Sequence, residues 1–541
     1  MKKILKTSFF PAFKKRNAIY VDKTESIYRL LDLSDRIFFS RPRRFGKSLT
    51  LDTIATLFEF GVQPYFEGTW IHDHWNEETY PVLRLNLASL IRDSYEQFID
   101  SFCEKIKDFS KKLGITNNTK LNTPADCLES LFSALPFERQ FVLLIDEYDC
   151  VLTHNINNEY EYNRYQSCMR SFYGVLKDKP QLRFLGITGV TRLKDVTIFS
   201  LGSDILDVTY HHDLATIVGY TRDEIRSYFG SYLESIAQKL YQTNFASLTH
   251  EQKTGYREML LDRMADEYDG YCFDEDYEKK VFSTWSVMSF LQDAFTRNDI
   301  IFDEYWYENG GVPSVLANYL KKHDLLVEPY TGKELTCTYD DFINPTSLLS
   351  IDQNVLMCQT GYLTLRSQLR SEIKLILAIP NNEVKKALYR LLFIKITGKQ
   401  AMISSEESRI LKQGSAQEIL KYFNTIMNTL LYDRFIAKDE ATVREILRFF
   451  LLAIKQPVCA EKHSAKGRSD LELDYPERRL VIELKYAQGN DACQKAANEA
   501  VAQIRDRDYG NTLPFKNHLY RMALVFDGSD DKKCFVKACE A

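Results

Sequence analysis

One stretch constrains this chain more than any other. An apolar run at residues 36–39 leads through a short basic loop into apolar residues at helical spacing. The loop ends in Gly46-Lys47-Ser48. A strand, a tight loop and a helix in this order place backbone N–H groups and the positive helix end around a phosphate. We therefore predict a nucleotide site in which Lys47 reaches the β- and γ-phosphates and the Ser48 hydroxyl binds Mg²⁺.

The rest of this loop is predicted to contact the nucleotide as well. The predicted contact residues are Arg43, Arg44, Phe45, Gly46, Lys47 and Ser48. The motif G-x-x-x-x-G-K-[ST] normally begins with glycine, and Arg41 stands at that position. From the loop alone, the alternative is a basic connection before an ordinary helix. A nucleotide site also needs acidic residues, so their presence elsewhere in the chain decides between the two interpretations.

A second apolar run, residues 141–145, ends in Asp146 and Glu147. This pattern is typical of a central parallel strand whose carboxyl end opens into a site. We predict that Asp146 holds Mg²⁺, usually through water, and that Glu147 polarises the water that attacks the γ-phosphate. The alternative is a buried strand that ends in a capping acid.

A third strand is predicted at residues 183–192. In nucleotide hydrolases the strand beside the acidic strand often ends in a polar residue that senses the γ-phosphate. Thr188 or Thr191 would do this here, and Arg192 would neutralise charge in the transition state. An ordinary ion pair is the alternative for Arg192. These strands alternate with helices, which predicts an α/β fold with a parallel sheet.

The second candidate site lies in a predicted hairpin at residues 467–486. Residues two apart on a strand share a face, so Glu483 and Lys485 project together, and Asp470 on the neighbouring strand reaches them. Buried charges need a partner or a cation. We predict that Asp470 and Glu483 bind one or two Mg²⁺ ions, with Mn²⁺ as a substitute, and that Lys485 positions or deprotonates the attacking water. A solvated face with a salt bridge is the alternative.

Two neighbouring segments extend this second site. Glu461, just upstream, is a candidate further metal ligand. A helix predicted at residues 491–507 carries polar side chains that either contact phosphate backbones or are simply solvated. They are Gln494, Lys495, Gln503 and Arg505.

Composition limits the classes of function. The chain has 541 residues and a net charge of -5, so any basic surface for nucleic acid has to be local. Its 11 cysteines form no C-x-x-C pair, which favours a reduced cytoplasmic protein. We expect no membrane segment, because no run approaches the roughly 18 apolar residues that a span needs. His72 and His74 lack a further ligand nearby, so a metal role is not expected.

We expect four regions from these patterns: a P-loop domain, a helical lid rich in acids and aromatics, a connector and a second α/β domain. Their predicted bounds are 1–225, 226–345, 346–435 and 436–541.

With both sites in view, the chain resembles a bacterial two-domain family that joins an AAA-ATPase-like domain to a PD-(D/E)XK nuclease domain. The resemblance covers nearly the whole chain, and the string Arg-Pro-Arg-Arg-Phe-Gly-Lys-Ser is specific to the family. Arg41 therefore looks like a family trait. Ser469 stands before Asp470, where the superfamily usually has proline. The matching segments are 20–24, 40–48, 145–149, 188–192, 359–363, 467–470 and 483–485.

The resemblance implies a P-loop NTPase sheet with a helical subdomain, followed by a restriction-endonuclease-like domain. It also implies ATP binding and Mg²⁺-dependent cleavage of DNA, in defence against foreign DNA or in repair. Similar ATPases often assemble into rings, so a homo-oligomer is expected. The alternatives are a nucleotide-dependent switch and a DNA-binding ATPase whose nuclease-like domain does not cleave.

Overall fold

The chain forms two compact units in the computed structural model, the first within residues 1–384 and the second within Lys385–Ala541. Because each unit is compact by itself, each is described separately. The finer boundaries at residues 225, 345 and 435 remain predictions. The structure describes residues 1–115, 122–193, 204–308, 314–323, 335–345, 347–369, 373–397, 403–429, 437–464, 467–476, 478–512, 518–529 and 533–541.

The strands of the described residues fall into four sheets. They are β1 Arg36–Ser40, β2 Val82–Asn86, β3 Phe141–Asp146, β4 Leu182–Gly189, β5 Leu206–Asp207, β6 Tyr271–Cys272, β7 Lys280–Val281, β8 Leu335–Thr338, β9 Thr364–Leu369, β10 Lys374–Ala378, β11 Val458–Ser464, β12 Gly467–Asp474, β13 Arg479–Ala487, β14 Leu519–Asp527 and β15 Cys534–Glu540.

Helices surround these sheets. The α-helices are α1 Pro11–Lys15, α2 Thr24–Leu33, α3 Lys47–Phe60, α4 Tyr95–Lys112, α5 Pro124–Ala134, α6 Cys150–Asn155, α7 Glu159–Val175, α8 Arg222–Tyr228, α9 Gly230–Leu240, α10 His250–Tyr268, α11 Thr284–Thr296, α12 Tyr305–Glu308, α13 Ser314–Lys322, α14 Tyr339–Ile343, α15 Gln353–Gln359, α16 Asn382–Thr397, α17 Ser405–Gln413, α18 Ala416–Thr429, α19 Glu440–Ala453 and α20 Asn490–Arg507. The helix predicted at residues 491–507 is α20.

The sheet of the first unit is parallel throughout, in the order β2-β3-β4-β1-β5. Register aligns the carboxyl ends of its central strands: Ser40 pairs with Gly189, and Ile145 pairs with Ile187. All six residues of β3 are buried, as expected for a central strand with both faces covered. The predicted α/β fold with a parallel sheet is therefore confirmed.

Helices α8 to α11 build a second core in the first unit. The first residues of the chain complete this core, because Ile4 and Val21 are buried against it. The backbone carbonyl of Lys2 accepts a hydrogen bond from the Tyr232 hydroxyl at 3.2 Å. The predicted helical region follows the parallel sheet in sequence, and it packs against the amino-terminal segment.

The second unit contains a mixed sheet in the order β11-β12-β13-β14-β15. Strands β13 and β14 run parallel, and the remaining neighbours are antiparallel. The predicted hairpin is present as β12 and β13, in which Leu471 pairs with Ile482. Helix α20 covers the sheet with small residues, Ala497 against Val525 and Ala500 against Val481. None of the described helices is both long and apolar enough to cross a membrane.

Candidate functional site

The phosphate loop joins β1 to α3, which begins at Lys47. Gly46 adopts φ +103°, a conformation that L side chains rarely take, so glycine is needed at this turn. The Lys47 ammonium donates to the carbonyl oxygens of Arg41 and Pro42, both at 2.9 Å. Burial lowers the pKa of Lys47 to about 8. The lysine is therefore held inside its own loop, where an incoming phosphate would compete with two carbonyls for it.

Three predicted residues meet at the carboxyl ends of β3 and β4. The Ser48 hydroxyl donates to Asp146 Oδ2 at 2.6 Å, and the Thr188 hydroxyl donates to Asp146 Oδ1 at 2.7 Å. The parallel register brings these ends together. A hydroxyl and a carboxylate in contact are oxygen ligands of the kind that Mg²⁺ prefers. The donor set of Ser48 and Asp146 therefore fits a magnesium ion.

Glu147 lies beside this cluster and lines the same cavity as Lys47. It takes a left-handed backbone conformation with φ 53°, which is uncommon outside glycine and occurs at functional sites. Burial raises the pKa of Glu147, and the neighbouring Asp146 raises it further. A raised pKa suits a group that polarises or accepts a proton from water.

Thr191 and Arg192 are engaged away from the phosphate loop. The Thr191 hydroxyl donates to Asp149 at 2.6 Å. Arg192 forms a half-buried ion pair with Asp207, and its backbone N–H donates to Gln359 Oε1 at 3.2 Å. The geometry therefore favours the ion-pair interpretation of Arg192, and Thr188 is the threonine that meets Asp146.

Arg41, at the position of the missing glycine, is buried beneath the loop with 1% of its surface exposed. Its guanidinium donates to the carbonyls of Ser40 and Thr209 and lies 4.6 Å from the ring centre of Phe273. Burial lowers the pKa of Arg41 to about 10. The side chain therefore anchors the start of the loop from below and leaves the cavity side open.

A cavity of about 600 Å³ opens above the loop. Its lining includes the polar residues Arg43, Lys47, Ser48 and Glu147 and a group of aromatic residues, here named the aromatic side. Trp285 on α11 belongs to the aromatic side, and the Arg44 guanidinium lies 4.1 Å from its ring centre. Phe13, Tyr20 and Tyr220 also belong to the aromatic side, and Met288 lines the cavity as well.

The helical region also fixes the loop directly. The Thr284 hydroxyl donates to the carbonyl of Arg44 at 2.8 Å, and the Gly219 N–H donates to the carbonyl of Phe45 at 3.1 Å. The buried Phe45 ring packs edge-on against Tyr271 at 4.7 Å. Sequence reasoning missed these contacts, because nothing in the spacing of residues 219–285 marks them as neighbours of a loop near residue 45.

In the second unit, the predicted Asp470, Glu483 and Lys485 converge. The Lys485 ammonium lies 3.3 Å from Glu483 Oε1. Asp470 Oδ2 accepts from the backbone N–H of Leu484 at 2.9 Å. Asp470 and Glu483 are buried rather than solvated, as expected when charged groups face a partner or a cation.

Helix α19 adds two residues that sequence reasoning missed. Glu440 Oε1 lies 3.5 Å from the Lys485 ammonium, and Arg444 Nη1 donates to Asp470 Oδ1 at 3.2 Å. Glu440 and Arg444 are one helical turn apart, so they share a face. That spacing is common on solvated helices, which is why it gave no specific signal. Three carboxylates and two cations thus form one cluster.

One atom of this cluster bears on metal binding. Glu483 Oε2 is buried, and no hydrogen-bond donor reaches it within the described part of the chain. Burial raises the pKa of Glu483 to about 7, with Asp470 contributing in the same direction. A buried oxygen without a donor, close to other carboxylates, is the chemistry of a hard-cation ligand. The residues present therefore fit Mg²⁺ or Mn²⁺.

The remaining candidates differ in where they lie. Gln503 on α20 donates to Glu483 Oε1 at 2.5 Å and belongs to the cluster. Lys495 lies exposed beside Glu499. The side chain of Glu461 lies outside the described residues. His72 contacts Asp73 at 2.7 Å.

Comparisons with known proteins match both halves of the chain. Residues 6–199 match the family model described as a predicted AAA-ATPase, and residues 438–536 match that of the PD-(D/E)XK nuclease superfamily. An uncharacterized protein in the vnfD 5′ region of Azotobacter chroococcum mcd 1 is 24% identical over 506 residues, 91% of this chain and 89% of that protein. A Walker-type ATPase of Pyrococcus abyssi shares 11% identity over 67% of this chain and 93% of its own, with a TM-score of 0.34. The resemblance is thus confirmed, and the chain joins an AAA-ATPase-like domain to a domain of the PD-(D/E)XK nuclease superfamily.

Proposed function

We propose that this protein binds and hydrolyses ATP and that its carboxyl-terminal domain is a Mg²⁺-dependent nuclease that cleaves DNA. One observation carries the nuclease proposal: the buried Glu483 Oε2 lies without a hydrogen-bond donor in the described structure, in a cluster with Asp470 and Lys485. The ATPase proposal is supported by the contact between Ser48 and Asp146 beside Lys47.

In the proposed ATPase step, Lys47 leaves the two loop carbonyls and binds the β- and γ-phosphates. Ser48 and Asp146 would hold Mg²⁺, and Thr188 keeps Asp146 oriented through its hydrogen bond. Glu147 orients the attacking water and accepts its proton. The aromatic side of the cavity, which includes Trp285, would take the base.

In the proposed nuclease step, Asp470 and Glu483 hold the divalent metal. When bound, this metal supplies an activated water and stabilises charge on the scissile phosphate. Lys485 positions the attacking water. Its ion pairs with Glu440 and Glu483 hold the ammonium group near the bond that is cleaved. Gln503 fixes the orientation of Glu483.

DNA is the proposed partner, and the cytoplasm is the proposed location, which suits 11 free cysteines. A homo-oligomer and a role in defence or repair are further proposals that follow from the resemblance alone. A second candidate function is a nucleotide-dependent switch or DNA-binding ATPase without cleavage. The contact between Arg444 and Asp470 favours it, because a protein cation already neutralises one proposed metal ligand.

The first test is cleavage of plasmid and single-stranded DNA with Mg²⁺ or Mn²⁺, with and without ATP. Asp470→Asn is expected to abolish cleavage, because an amide is a poor metal ligand of nearly the same shape. Lys47→Ala is expected to abolish ATP binding and to change cleavage only where ATP controls it. Lys111→Ala, on an exposed helix face, is the matched control. Wild-type protein that cuts nothing in any condition contradicts the nuclease proposal.

A further inference from the structure

Arg444 occupies an unusual place in the nuclease-like domain. Its guanidinium donates to Asp470 Oδ1 at 3.2 Å, and both side chains are nearly buried, with 12% and 11% exposed. Asp470 Oδ2 is already taken by the N–H of Leu484 at 2.9 Å. Both oxygens of a proposed metal ligand therefore face protein donors, and one of these donors carries a full positive charge.

The carboxylates of the cluster are shared unequally between its two cations, Lys485 and Arg444. Lys485 lies within 3.5 Å of both Glu440 and Glu483, so it serves two carboxylates. Arg444 serves the third, Asp470, at 3.2 Å, and its Nε also lies 3.8 Å from Glu445 Oε1. A divalent cation at Asp470 would place two positive groups on one carboxylate. Like charges at this separation repel strongly where water is scarce, so Arg444 and the metal compete for Asp470.

A displaced Arg444 would still lie in the site, because helix α19 carries it on the same face as Glu440. A guanidinium binds phosphate through two parallel hydrogen bonds. The substrate of the proposed function brings such phosphates to this cluster. Arg448, one turn further along α19, pairs with Glu445 at 3.4 Å, so it offers a comparison on the same helix.

We propose that Arg444 is a positioning residue that holds Asp470 until a divalent metal replaces it, and that its guanidinium then binds a phosphate of the nucleic acid next to the scissile bond. This inference rests on the proposed nuclease function. It adds an exchange of partners: the metal takes the place of Arg444 at Asp470, and Arg444 moves to the phosphate. Binding of the metal and binding of the substrate therefore depend on each other.

The test uses the full chain with Arg444→Met, which keeps most of the aliphatic stem, Arg444→Lys, which keeps the charge, and Arg448→Met as the matched control. Mn²⁺ binding is measured by calorimetry without DNA. DNA binding is measured in Ca²⁺ over a range of salt concentrations. Arg444→Met is expected to bind Mn²⁺ about tenfold more tightly, because the positive group that repels the metal at Asp470 is gone. Its plot of log affinity for DNA against log salt is expected to lose about one unit of slope.

Arg444→Lys is expected to keep the salt slope while cleaving more slowly, because an ammonium lacks the paired geometry of a guanidinium. Mn²⁺ affinity in Arg444→Met equal to that of wild type and Arg448→Met would overturn the competition, and an unchanged salt slope would overturn the phosphate contact. If Arg444→Met melts well below wild type, Arg444→Gln, which also removes the charge, takes its place in both measurements. Wild-type protein that binds neither Mn²⁺ nor DNA overturns the proposed function too, whereas normal wild-type cleavage with unaltered variants overturns this inference alone.

Discussion

At the scale of single residues, Arg41 explains how a phosphate loop tolerates the loss of its first glycine. The side chain points beneath the loop and binds the carbonyls of Ser40 and Thr209. It packs on the ring of Phe273 as well. Arg41 is thus a structural anchor rather than a group that faces the phosphates.

Replacing Arg41 with alanine is expected to lower the free energy of unfolding by about 3 kcal/mol. Two buried carbonyls lose a charged donor, and a large side chain leaves a cavity. Urea unfolding followed by circular dichroism measures the change. Arg29→Ala, at an exposed ion pair, is the control and should stay within about 0.5 kcal/mol of wild type. An Arg41→Ala protein as stable as this control would contradict the anchoring role.

Glu383 is a second residue whose burial has a consequence. Its carboxylate accepts from the backbone N–H of Trp306 at 2.7 Å and from the Ser286 hydroxyl at 2.8 Å. Burial nevertheless raises its pKa from 4.5 to about 8. The folded state therefore holds a proton that the unfolded state releases, and the stability from this group is lost as the pH rises from 4.5 through about 8.

Glu383→Gln is expected to remove this pH dependence. The amide keeps the neutral form, accepts from Trp306 and donates to the Ser286 oxygen. Relative to wild type, the variant should therefore gain thermal stability as the pH rises from about 4.5 to about 8. Melting temperatures at the two pH values test this. Glu129→Gln, half-exposed beside Lys179, should shift equally at both. A constant difference for Glu383→Gln would count against the prediction.

At the scale of elements, helix α11 contacts the phosphate loop although it lies more than 200 residues beyond it. Thr284 at its start binds the carbonyl of Arg44, and Trp285 stacks on the Arg44 guanidinium. The helix therefore shapes both the loop and the aromatic side of the cavity.

Removing the Trp285 ring is expected to weaken nucleotide binding about tenfold, since aromatic stacking contributes about 1 kcal/mol or more. Calorimetric titration of ATP into Trp285→Ala measures this, and Trp285→Phe should recover most of the affinity. Met259→Ala, on an exposed face of α10, serves as the control. Equal affinity in Trp285→Ala and wild type would show that the base lies elsewhere.

Prediction from sequence succeeded where local rules suffice. Strands β1, β3 and β4 are apolar runs that end in polar residues, and alternation along β13 put Glu483 and Lys485 together. Prediction from sequence failed where only tertiary packing brings residues of different elements together. Arg444 lies 26 residues before Asp470 on a different element. Its neighbours on α19 look like those of any amphipathic helix, so no local pattern could reveal the pairing.

At the scale of the whole molecule, the matched AAA-ATPase-like region, residues 6–199, is shorter than the structure that supports its site. Gly219, Tyr271 and Thr284 all contact the phosphate loop from beyond residue 199. The first compact unit extends to Val384.

A chain that ends at residue 384 is therefore expected to bind ATP with nearly wild-type affinity. A chain that ends at residue 199 should bind weakly and expose apolar surface, because the ring of Phe45 loses its partner Tyr271. Calorimetry with ATP and fluorescence of a hydrophobic dye measure the two properties. Wild-type affinity for ATP in the chain that ends at residue 199 would show that the helical region does not contribute to binding.

The burial of Ile4 and Val21 among helices α8 to α11 also affects how the chain folds while the ribosome makes it. A nascent chain cannot complete this core until about residue 305, because Tyr305 is the last buried member of the cluster. At 5 to 20 residues per second, Ile4 waits roughly 15 to 60 seconds for the last of its partners. During that interval the emerging amino terminus presents apolar side chains to its surroundings, which makes it a natural client for a chaperone during synthesis.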